Sequence, residues 1–412
     1  MMSRDDSSLS SSSSQRESLE TLLRSTLPMD EVVYAFGYGS GVFSQNIISH
    51  EQDKDVIEEE TKVIDMIVVV QDAMAFHRAN VSLNPSHYYH HHHSSLVPGI
   101  RLPEDGTASW CTWWQRHTPP HWLGRNPGLY FFLTDTVKYG IVQADDLRDD
   151  LSQWKYLYLA GRMQKPVLTL IDDNNNNDSR KSVNTSTVDE NHKDSSIHHL
   201  QHSVNLPAAL ASSLLLLSNA KSNSNDNKTQ PKYGQTTTTA NEIYQQIAKL
   251  SYLGDFRVAY GAEDPQKIQR LVEGPGQFER FESLYFHAAT ALQQQGILSI
   301  TQEDTTGTTT LDSTSATTRT TTTTPDTTVQ PVQTTTWSWD TSPEARKHLW
   351  EQLPLVKQSS VPKNYQHYLS TQLTSIVAPS ARYQSFKGIV TAGPRKAWNY
   401  AARKLAKGLF RK

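Results

Sequence analysis

Apolar and polar positions divide the first half of the chain into short apolar runs separated by amphipathic stretches. Five runs are rich in β-branched and aromatic residues and have the length of buried strands: Val32–Phe36, Val63–Val70, Leu129–Leu133, Tyr139–Gln143 and Val167–Ile171. Two stretches between them, Ala73–Ala79 and Asp146–Gly161, repeat apolar residues at helical spacing. This order predicts an α+β domain over residues 20–171, a sheet with flanking helices, with a loop near residues 90–110.

In the second half of the chain, helical spacing dominates. Helices are predicted at Leu206–Leu217, Asn241–Tyr252, Pro265–Leu292, Pro343–Leu353 and Tyr365–Ile376. The pattern therefore predicts a mostly helical second domain, built from residues 204–217 and 240–300. A further helical segment, residues 337–380, is expected to return to the core.

Four polar stretches of biased composition interrupt these elements. They are residues 1–19, rich in Ser; 172–203, rich in Asn, Asp, Ser and His; 218–239, rich in Asn, Ser and Thr; and 301–336, rich in Thr. Such stretches cannot bury enough apolar surface to offset the entropy of an ordered chain. They are predicted to be disordered, in line with a hydrophobic content of only 36%.

Length and composition narrow the class of protein. A chain of 412 residues favours two domains, and a net charge of −3 argues against a generic binder of polyanions. The single cysteine, Cys111, excludes an intrachain disulfide and favours a reducing compartment. No apolar run approaches the ~18 residues needed to span a bilayer.

The last segment, residues 381–412, differs from the rest in charge. From Arg382 to Lys412 the sequence has nine Lys and Arg and no acidic residue. Apolar positions recur at helical spacing between the basic ones, a pattern typical of a helix lying on an anionic bilayer. The membrane-contacting candidates are Arg395, Lys396, Trp398, Arg403, Lys404 and Lys407. A helix packed on its own domain and a helix that binds nucleic acid are the alternatives.

The glycine-rich turn Gly39-Ser40-Gly41 follows the first predicted strand and precedes a predicted helix, Ser44–His50. Backbone N–H groups in such a turn can approach phosphates closely, because no Cβ intervenes. Asp65 lies on the next apolar strand, where an ionised carboxylate is costly unless a metal ion or hydrogen bonds hold it. The pair is typical of a nucleotidyl-transfer site. An ordinary tight turn and a solvent-facing carboxylate are the alternatives.

Further charged residues are candidates for the same chemistry. Asp150 could supply a second metal ligand, or it could be a surface charge on a helix. Lys138, Arg162 and Lys165 could neutralise phosphates, or could extend into solvent. Asp255 and Arg257 could form an ordinary ion pair or reach substrate phosphates. The polar residues of Phe76–Tyr88 are predicted to serve hydrogen bonding rather than zinc binding.

Several of these segments, taken in order, resemble the mitochondrial phosphatidate cytidylyltransferase family, also called the mitochondrial translocator assembly and maintenance proteins. The resemblance runs from about Tyr34 to Lys407 and skips the low-complexity stretches. The segments that carry it are Phe36–Phe43, Ile64–Asp65, Phe76–Tyr88, Lys138–Gly140, Asp150–Leu151 with Trp154, Leu157–Pro166, Leu250–Arg257, and Gln384–Gly388 with Thr391–Gly393.

The resemblance implies a nucleotidyltransferase-like mixed sheet, a winged-helix-like second domain and a C-terminal membrane-binding helix. It implies transfer of CMP from CTP to phosphatidate, with Mg²⁺, giving CDP-diacylglycerol for cardiolipin synthesis and releasing pyrophosphate. The protein would be peripheral on the matrix face of the mitochondrial inner membrane. No nucleic acid and no stable protein partner are expected.

Specific roles follow from this implied reaction. Gly39, Ser40 and Gly41 would cradle the β- and γ-phosphates, and Asp65 would hold Mg²⁺ with Asp150 or Asp255 as helper. Lys138, Arg162, Lys165 and Arg257 would meet the substrates' phosphates. Two other functions stay open: a nucleotidyltransferase that acts on RNA or protein, and a non-catalytic assembly factor for mitochondrial import.

Overall fold

The computed structural model describes residues 5–43, 63–88, 103–134, 136–172, 195–218, 234–255, 257, 266–303, 334–355 and 360–392. The strands are β1 (Val32–Tyr38), β2 (Ile64–Val70), β3 (Tyr130–Leu133), β4 (Val137–Gln143), β5 (Leu168–Ile171), β6 (Gln235–Thr239), β7 (Leu298–Glu303) and β8 (Thr334–Asp340). The longer helices are α1 (Asp5–Thr26), α2 (Ala73–Leu83), α3 (Glu104–Arg116), α4 (Ala144–Gln153), α5 (Ala160–Met163), α6 (Ile197–Leu200), α7 (Leu206–Leu217), α8 (Ala240–Leu250), α9 (Lys267–Glu273), α10 (Gln277–Gln294), α11 (Pro343–Glu351) and α12 (Tyr365–Ala392). A 3₁₀ turn covers Pro85–His87 and a π turn covers Gln201–Asn205.

The first region is built on a five-stranded sheet of order β3-β4-β2-β1-β5. Only the β2–β4 pair is parallel, and the other three pairs are antiparallel. β2 is the central strand, and its alternate residues enter two different cores: Ile67 and Val69 on one face, and Val68 and Val70 on the other. Burial on both faces explains its unbroken apolar run. The predicted α+β class with a mixed sheet and flanking helices is confirmed.

Helices α1, α2 and α3 supply the layer on one face of this sheet. Leu19, Leu23 and Leu27 of the α1 segment are buried in the same core as Val68, and Gln15 donates a side-chain hydrogen bond to the Val42 carbonyl at 2.8 Å. Disorder over residues 1–19 is therefore wrong from Asp5 onward, because packing of the leucine face stabilises a helix that serine content disfavours. The loop predicted near residues 90–110 is likewise helical from Glu104.

The opposite face of the sheet shares one continuous core with the second region. That core runs from Phe36 and Val69 through Leu210 of α7 to Trp350 and Leu369. The second region packs its helices against a small antiparallel sheet of order β6-β8-β7. Helices beside such a sheet fit the predicted winged-helix-like arrangement.

Three low-complexity predictions extend too far into ordered structure. The structure describes residues from Ser195 onward, with Ile197 buried, so the stretch 172–203 is not disordered throughout. β6 lies within 218–239, and parts of β7 and β8 lie within 301–336. β8 is the middle strand of its sheet, and threonine has high strand propensity, so composition misled here. Register pairs Glu303 of β7 directly with Thr334 of β8.

The stretch Ile197–Leu217 is long and apolar enough to cross a membrane by length and composition, the only one among the described residues, and two-thirds of its most apolar window is buried inside the protein. The sequence predicted that no apolar run approaches the length of a membrane span, and by length and composition this prediction is wrong. Its buried residues, among them Leu210 and Leu214, pack within the large core. This burial matches that of a core helix.

Helix α12 connects the two regions. Leu369 and Leu373 lie in the large core, whereas Lys387 contacts Asn126 of the first region. Residues 381–392 were predicted to begin a membrane-binding segment. They continue α12 and pack one face on the protein, with Tyr383 and Lys387 buried, while Arg382 and Phe386 on another face stay exposed. The remaining candidates of that segment, from Arg395 to Lys407, lie outside the described residues.

Candidate functional site

The glycine turn and Asp65 meet at one end of the sheet. Asp65 pairs in register with Tyr38, the last residue of β1, and the turn follows directly. Gly39 has a φ of +79°, which favours glycine, and a Cβ there would lie 3.8 Å from Asp65 Oδ2. A Cβ on Gly41 would lie 2.5 Å from the Val63 carbonyl oxygen. Gly39 is thus favoured by its backbone conformation, and Gly41 is required by close packing of the turn against the start of β2.

Lys138 lies beside Asp65 because β2 and β4 run parallel in register. Its Nζ is 3.6 Å from Asp65 Oδ1, and each side chain is 29% exposed. The ammonium also lies 5.0 Å from the centre of the Phe131 ring. The predicted carboxylate and cation therefore lie together and open to solvent. Ser40 is exposed in the adjacent turn, and the predicted helix Ser44–His50 lies outside the described residues.

Arg162 approaches the same end of the sheet from α5. Its guanidinium lies 4.0 Å from the centre of the Tyr158 ring and 5.2 Å from that of Tyr38. Nη1 donates to the Tyr158 carbonyl at 2.6 Å, while the buried Nε has no hydrogen-bond partner among the described residues. Two aromatic faces hold this cation in one orientation. The arginine is thus prearranged, with a donor to spare, near Asp65.

The loop that carries Arg162 is anchored by Asp150. The Asp150 carboxylate, 1% exposed, accepts backbone hydrogen bonds from the five consecutive residues Tyr156–Ala160 at 2.7–3.1 Å. Trp154 and Leu157 in this loop have φ near +50°, a strained conformation for residues with a side chain. Both Asp150 oxygens are occupied in holding that loop. Asp150 therefore has a structural role, contrary to its prediction as a catalytic residue or metal ligand.

Residues of the second region support the loop from beneath. Asn205 Oδ1 accepts from Trp154 Nε1 at 2.8 Å and from Gln164 Nε2 at 3.1 Å, and its amide donates to the Ala160 carbonyl at 3.0 Å. Tyr285 of α10 donates to the Gln164 carbonyl at 2.9 Å. The position of Arg162 therefore depends on both regions of the chain.

Lys165 lies next to Arg162 in a partly buried position. Its Nζ donates to the Gly161 carbonyl and to Ser251 Oγ, the latter at 2.8 Å. Burial, together with the nearby charges of Arg162 and Lys267, lowers the Lys165 pKa to about 7. Above about pH 7, the ammonium is therefore favoured only when an anion approaches.

Tyr252 brings Lys165 and Lys267 together. The Lys165 and Lys267 ammonium groups lie 5.4 and 5.0 Å from the centre of its ring. Lys267 begins α9 and was not singled out from the sequence, because a lone lysine at a helix start carries no motif. The second region therefore adds a cation to the cluster.

Asp255 and Arg257 form the ordinary ion pair that the sequence left open. Asp255, 2% exposed, accepts from Arg257 Nη2 at 2.6 Å and from Nε at 3.0 Å. Its carboxylate is thus enclosed by its own neighbour, and the structure gives no support to Asp255 as a direct substrate contact. Arg257 is one-third exposed, so Asp255 orients it.

The electrostatic balance of this end of the sheet is positive. Burial alone would raise the Tyr158 pKa, but Arg162, Arg257 and Lys138 together lower it below the usual value for tyrosine. Tyr38 is affected in the opposite sense: burial raises its pKa despite Arg162. Three cations from three separate parts of the chain therefore act on one phenol. They form a site for an anion of high charge.

Asp65 is the only predicted metal ligand that this geometry leaves available. The described residues contain no group of three His, Cys, Asp or Glu side chains placed to hold a metal ion. Mg²⁺ is commonly bound through one or two carboxylates together with substrate phosphates and water. A single partly exposed carboxylate next to an anion site therefore fits an ion that arrives with a triphosphate.

The polar residues of α2 and the following turn form a buried network, as predicted. His77 contacts Tyr88 and Gln115 at 3.1 and 3.0 Å, and Asn80 donates to Tyr88 and Tyr139. Burial lowers the His77 pKa to about 4. The network supports β4 behind Lys138 and holds a neutral imidazole.

A glycine turn, a strand carboxylate and converging cations at one end of a mixed sheet define the nucleotidyltransferase-like class of α+β proteins. The sequence model of the family described as "Phosphatidate cytidylyltransferase, mitochondrial" matches residues 19–407 of this chain. The chain therefore belongs to this family.

Individual relatives bear the same name. The protein of Caenorhabditis briggsae is 31% identical over 252 residues, which is 61% of this chain and 59% of that protein. The protein of Xenopus laevis is 28% identical over 400 residues, 93% of each chain. The protein of Saccharomyces cerevisiae is 29% identical over 257 residues, 61% of this chain and 50% of that protein. The match thus spans a little over half the length of the nematode relative and nearly all of the frog relative.

Proposed function

We propose that this chain transfers the CMP group of CTP to phosphatidate, giving CDP-diacylglycerol and pyrophosphate. The single observation that supports it most is that the Lys138–Asp65 pair and the Arg162 guanidinium, held against Tyr38 and Tyr158, lie at the same end of the sheet. A site with one carboxylate and several cations suits substrates that bring phosphates of their own. The names of the family and of its members favour this particular reaction over other nucleotidyl transfers.

In the proposed reaction, a phosphatidate oxygen attacks the α-phosphorus of CTP in line, and pyrophosphate leaves. No protein nucleophile is needed, because the attacking phosphate is already an anion. The chain's contribution is positioning and neutralisation of charge. The backbone of Gly39, Ser40 and Gly41 would cradle the outer phosphates.

The charged side chains have separate tasks in this proposal. Arg162, fixed between two rings, would orient the triphosphate, and Lys165 and Arg257 would neutralise it. Lys138 would hold the Asp65 side chain in place through their ion pair. Mg²⁺, when bound at Asp65, would offset negative charge on the phosphates.

The location belongs to the proposal as well. The family and its members are named as mitochondrial, and the basic residues 393–412 suit a peripheral contact with an anionic membrane. We place the protein on the matrix face of the inner membrane, where its product would serve cardiolipin synthesis. No nucleic acid or stable protein partner is required.

The test is a product assay with purified full-length chain, CTP, Mg²⁺ and phosphatidate, with the lipids separated and identified by mass. Asp65→Asn should reduce kcat by about a thousandfold, since it removes the charge that faces the phosphates. The matched control is Asp145→Asn, an exposed carboxylate 63% accessible on α4, which should leave turnover unchanged. Transfer of CMP to RNA or protein with no lipid product would refute the proposal, as would full activity of Asp65→Asn.

A further inference from the structure

Most exposed large apolar side chains of a folded protein are scattered, but three of them here lie at one corner. Among the described residues, Trp122 is 77%, Trp113 52% and Phe386 41% exposed. Trp113 is near the end of α3, Trp122 is in the loop that follows, and Phe386 is on α12. We call these three residues, with the exposed Arg116, Arg125 and Arg382, the aromatic corner.

A set of polar contacts holds the aromatic corner together. The Asn126 amide donates to the carbonyls of Trp114, Gln115 and His117 at 2.8–3.1 Å, and its Oδ1 accepts from Lys387 at 3.2 Å. The Arg125 backbone N–H donates to the Pro379 carbonyl at 3.2 Å. The loop is therefore fixed between α3 and α12, and its exposed tryptophan is displayed on a rigid base.

Both chain segments that contribute to the aromatic corner carry basic residues and no acidic ones. The sequence contains no Asp or Glu between residues 106 and 134 or from residue 352 to the C-terminus. Beside the loop, a cavity of about 550 Å³ is lined by Arg116, Arg125, Lys155 and Asp146 among others. Asp146 is the acidic residue of that lining, and burial raises its pKa. An exposed surface rich in Trp and Arg is typical of contact with the head-group layer of a bilayer.

The path of the chain after Phe386 also favours contact with an anionic bilayer. Ala392 ends α12 six residues after Phe386, which is about 9 Å along a helix. The segment that follows, residues 393–412, has seven basic and no acidic residues. The basic segment therefore starts next to the aromatic corner, and both match an anionic surface.

We propose that the aromatic corner is a membrane-contact surface that inserts Trp122 and Phe386 into the head-group layer of an anionic bilayer. The proposal rests on the proposed function only in that the substrate is a membrane lipid. Arg116 donates to Gln143, the last residue of β4, at 2.8 Å, so the corner lies at the opposite end of the sheet from Asp65. The separation is on the order of 20 Å along the strands. The corner is thus an anchor that orients the protein on the membrane, and the chemistry takes place elsewhere.

The test measures partition of the full chain onto phosphatidylcholine vesicles with and without phosphatidylglycerol, an anionic lipid that is not the substrate. No CTP is present, so the result is independent of catalysis. The double variant Trp122→Ser/Phe386→Ser should partition about tenfold more weakly onto the anionic vesicles. The difference in partition between the double variant and the parent chain should persist at high salt, where screening suppresses the contribution of the basic C-terminal segment. Turnover on detergent-dispersed phosphatidate should be unchanged.

The matched control is Leu83→Ser/Phe286→Ser, which removes two apolar side chains that are 56% and 60% exposed away from the corner. It should partition like the parent chain. In a second measurement, brominated lipid should quench tryptophan emission less in Trp122→Phe than in the parent chain. The proposal is overturned if the parent chain does not bind these vesicles, if the double variant binds as well as the parent, if the control loses as much, or if quenching is unaltered by Trp122→Phe.

Discussion

Lys165 shows how a single partly buried side chain can be arranged for a ligand. It hydrogen-bonds only neutral oxygens, from Gly161 and Ser251, while Arg162 and Lys267 lie close enough to lower its pKa to about 7. The free protein therefore disfavours the ammonium that a triphosphate would favour. Binding of CTP should be accompanied by uptake of a proton.

This arrangement predicts a pH dependence of CTP binding. Because the lowered pKa means that Lys165 loses its proton above about pH 7, the KM for CTP should rise with pH above this value, by up to about tenfold for each pH unit. Lys165→Met should have a high KM that varies little with pH. Initial rates across a pH series provide the measurement, and Lys249→Met, on the exposed face of α8, is the control. A parent KM that does not change between pH 7 and pH 9 would contradict the assignment.

At the scale of elements, the loop between α4 and α5 determines where Arg162 lies. Its strained residues Trp154 and Leu157 are retained because Asp150 binds five backbone N–H groups around them. Removing the carboxylate would leave these donors buried without partners. The loop should then relax, and Arg162 should lose its place between Tyr38 and Tyr158.

Asp150→Ala should therefore lower the free energy of unfolding by at least about 3 kcal/mol and reduce activity in parallel. Denaturant titration and turnover on the same preparations make the comparison. Asp149→Ala is the neighbouring control: its ion pair with Lys155 is exposed and should contribute less than about 1 kcal/mol. Normal stability of Asp150→Ala combined with lost activity would restore a catalytic role for Asp150.

The elements of the first region could largely be predicted from the sequence, because β2 is an unbroken apolar run and α4 repeats apolar residues at helical spacing. Site residues that belong to a local sequence motif, such as Gly39 and Asp65, could be predicted from the sequence. Residues whose role depends on a tertiary partner could not. Asp150 looks like a ligand until the loop closes on it, and Lys267 has no local signal at all. Likewise α1 and β8 form from Ser- and Thr-rich sequence only because distant residues cover them.

At the scale of the whole molecule, α12 ties the two regions together through a buried charge. Lys387 is 1% exposed, and burial lowers its pKa to about 7, with partial opposition from Asp146 and Cys111. Its hydrogen bond to Asn126 is one of the links between α12 and the loop of the aromatic corner, beside that from the Arg125 N–H to the Pro379 carbonyl. Burial therefore disfavours the charged form of Lys387 in the folded chain.

Stability should consequently rise with pH above about 7, since the unfolded chain keeps the Lys387 proton up to its ordinary pKa of 10.5 while the folded chain releases it. Lys387 should contribute at most about 1.4 kcal/mol per pH unit to this slope, and Lys165 adds to the slope in the same direction. Lys387→Met should therefore reduce the slope without abolishing it, whereas Lys363→Met, at an exposed position, should leave it unchanged. Thermal unfolding at several pH values decides it, and an equal slope in the parent and Lys387→Met would contradict the buried ammonium.

The pairing of Glu303 with Thr334 has a practical consequence for handling this protein. The thirty residues between them, 304–333, leave and rejoin the sheet at neighbouring positions, so a turn of two to five residues has the reach to replace them. A shortened version of the chain could thus keep every described strand and helix while dispensing with a threonine-rich polar stretch. For crystallisation, residues 304–333 are the segment to replace with a short turn.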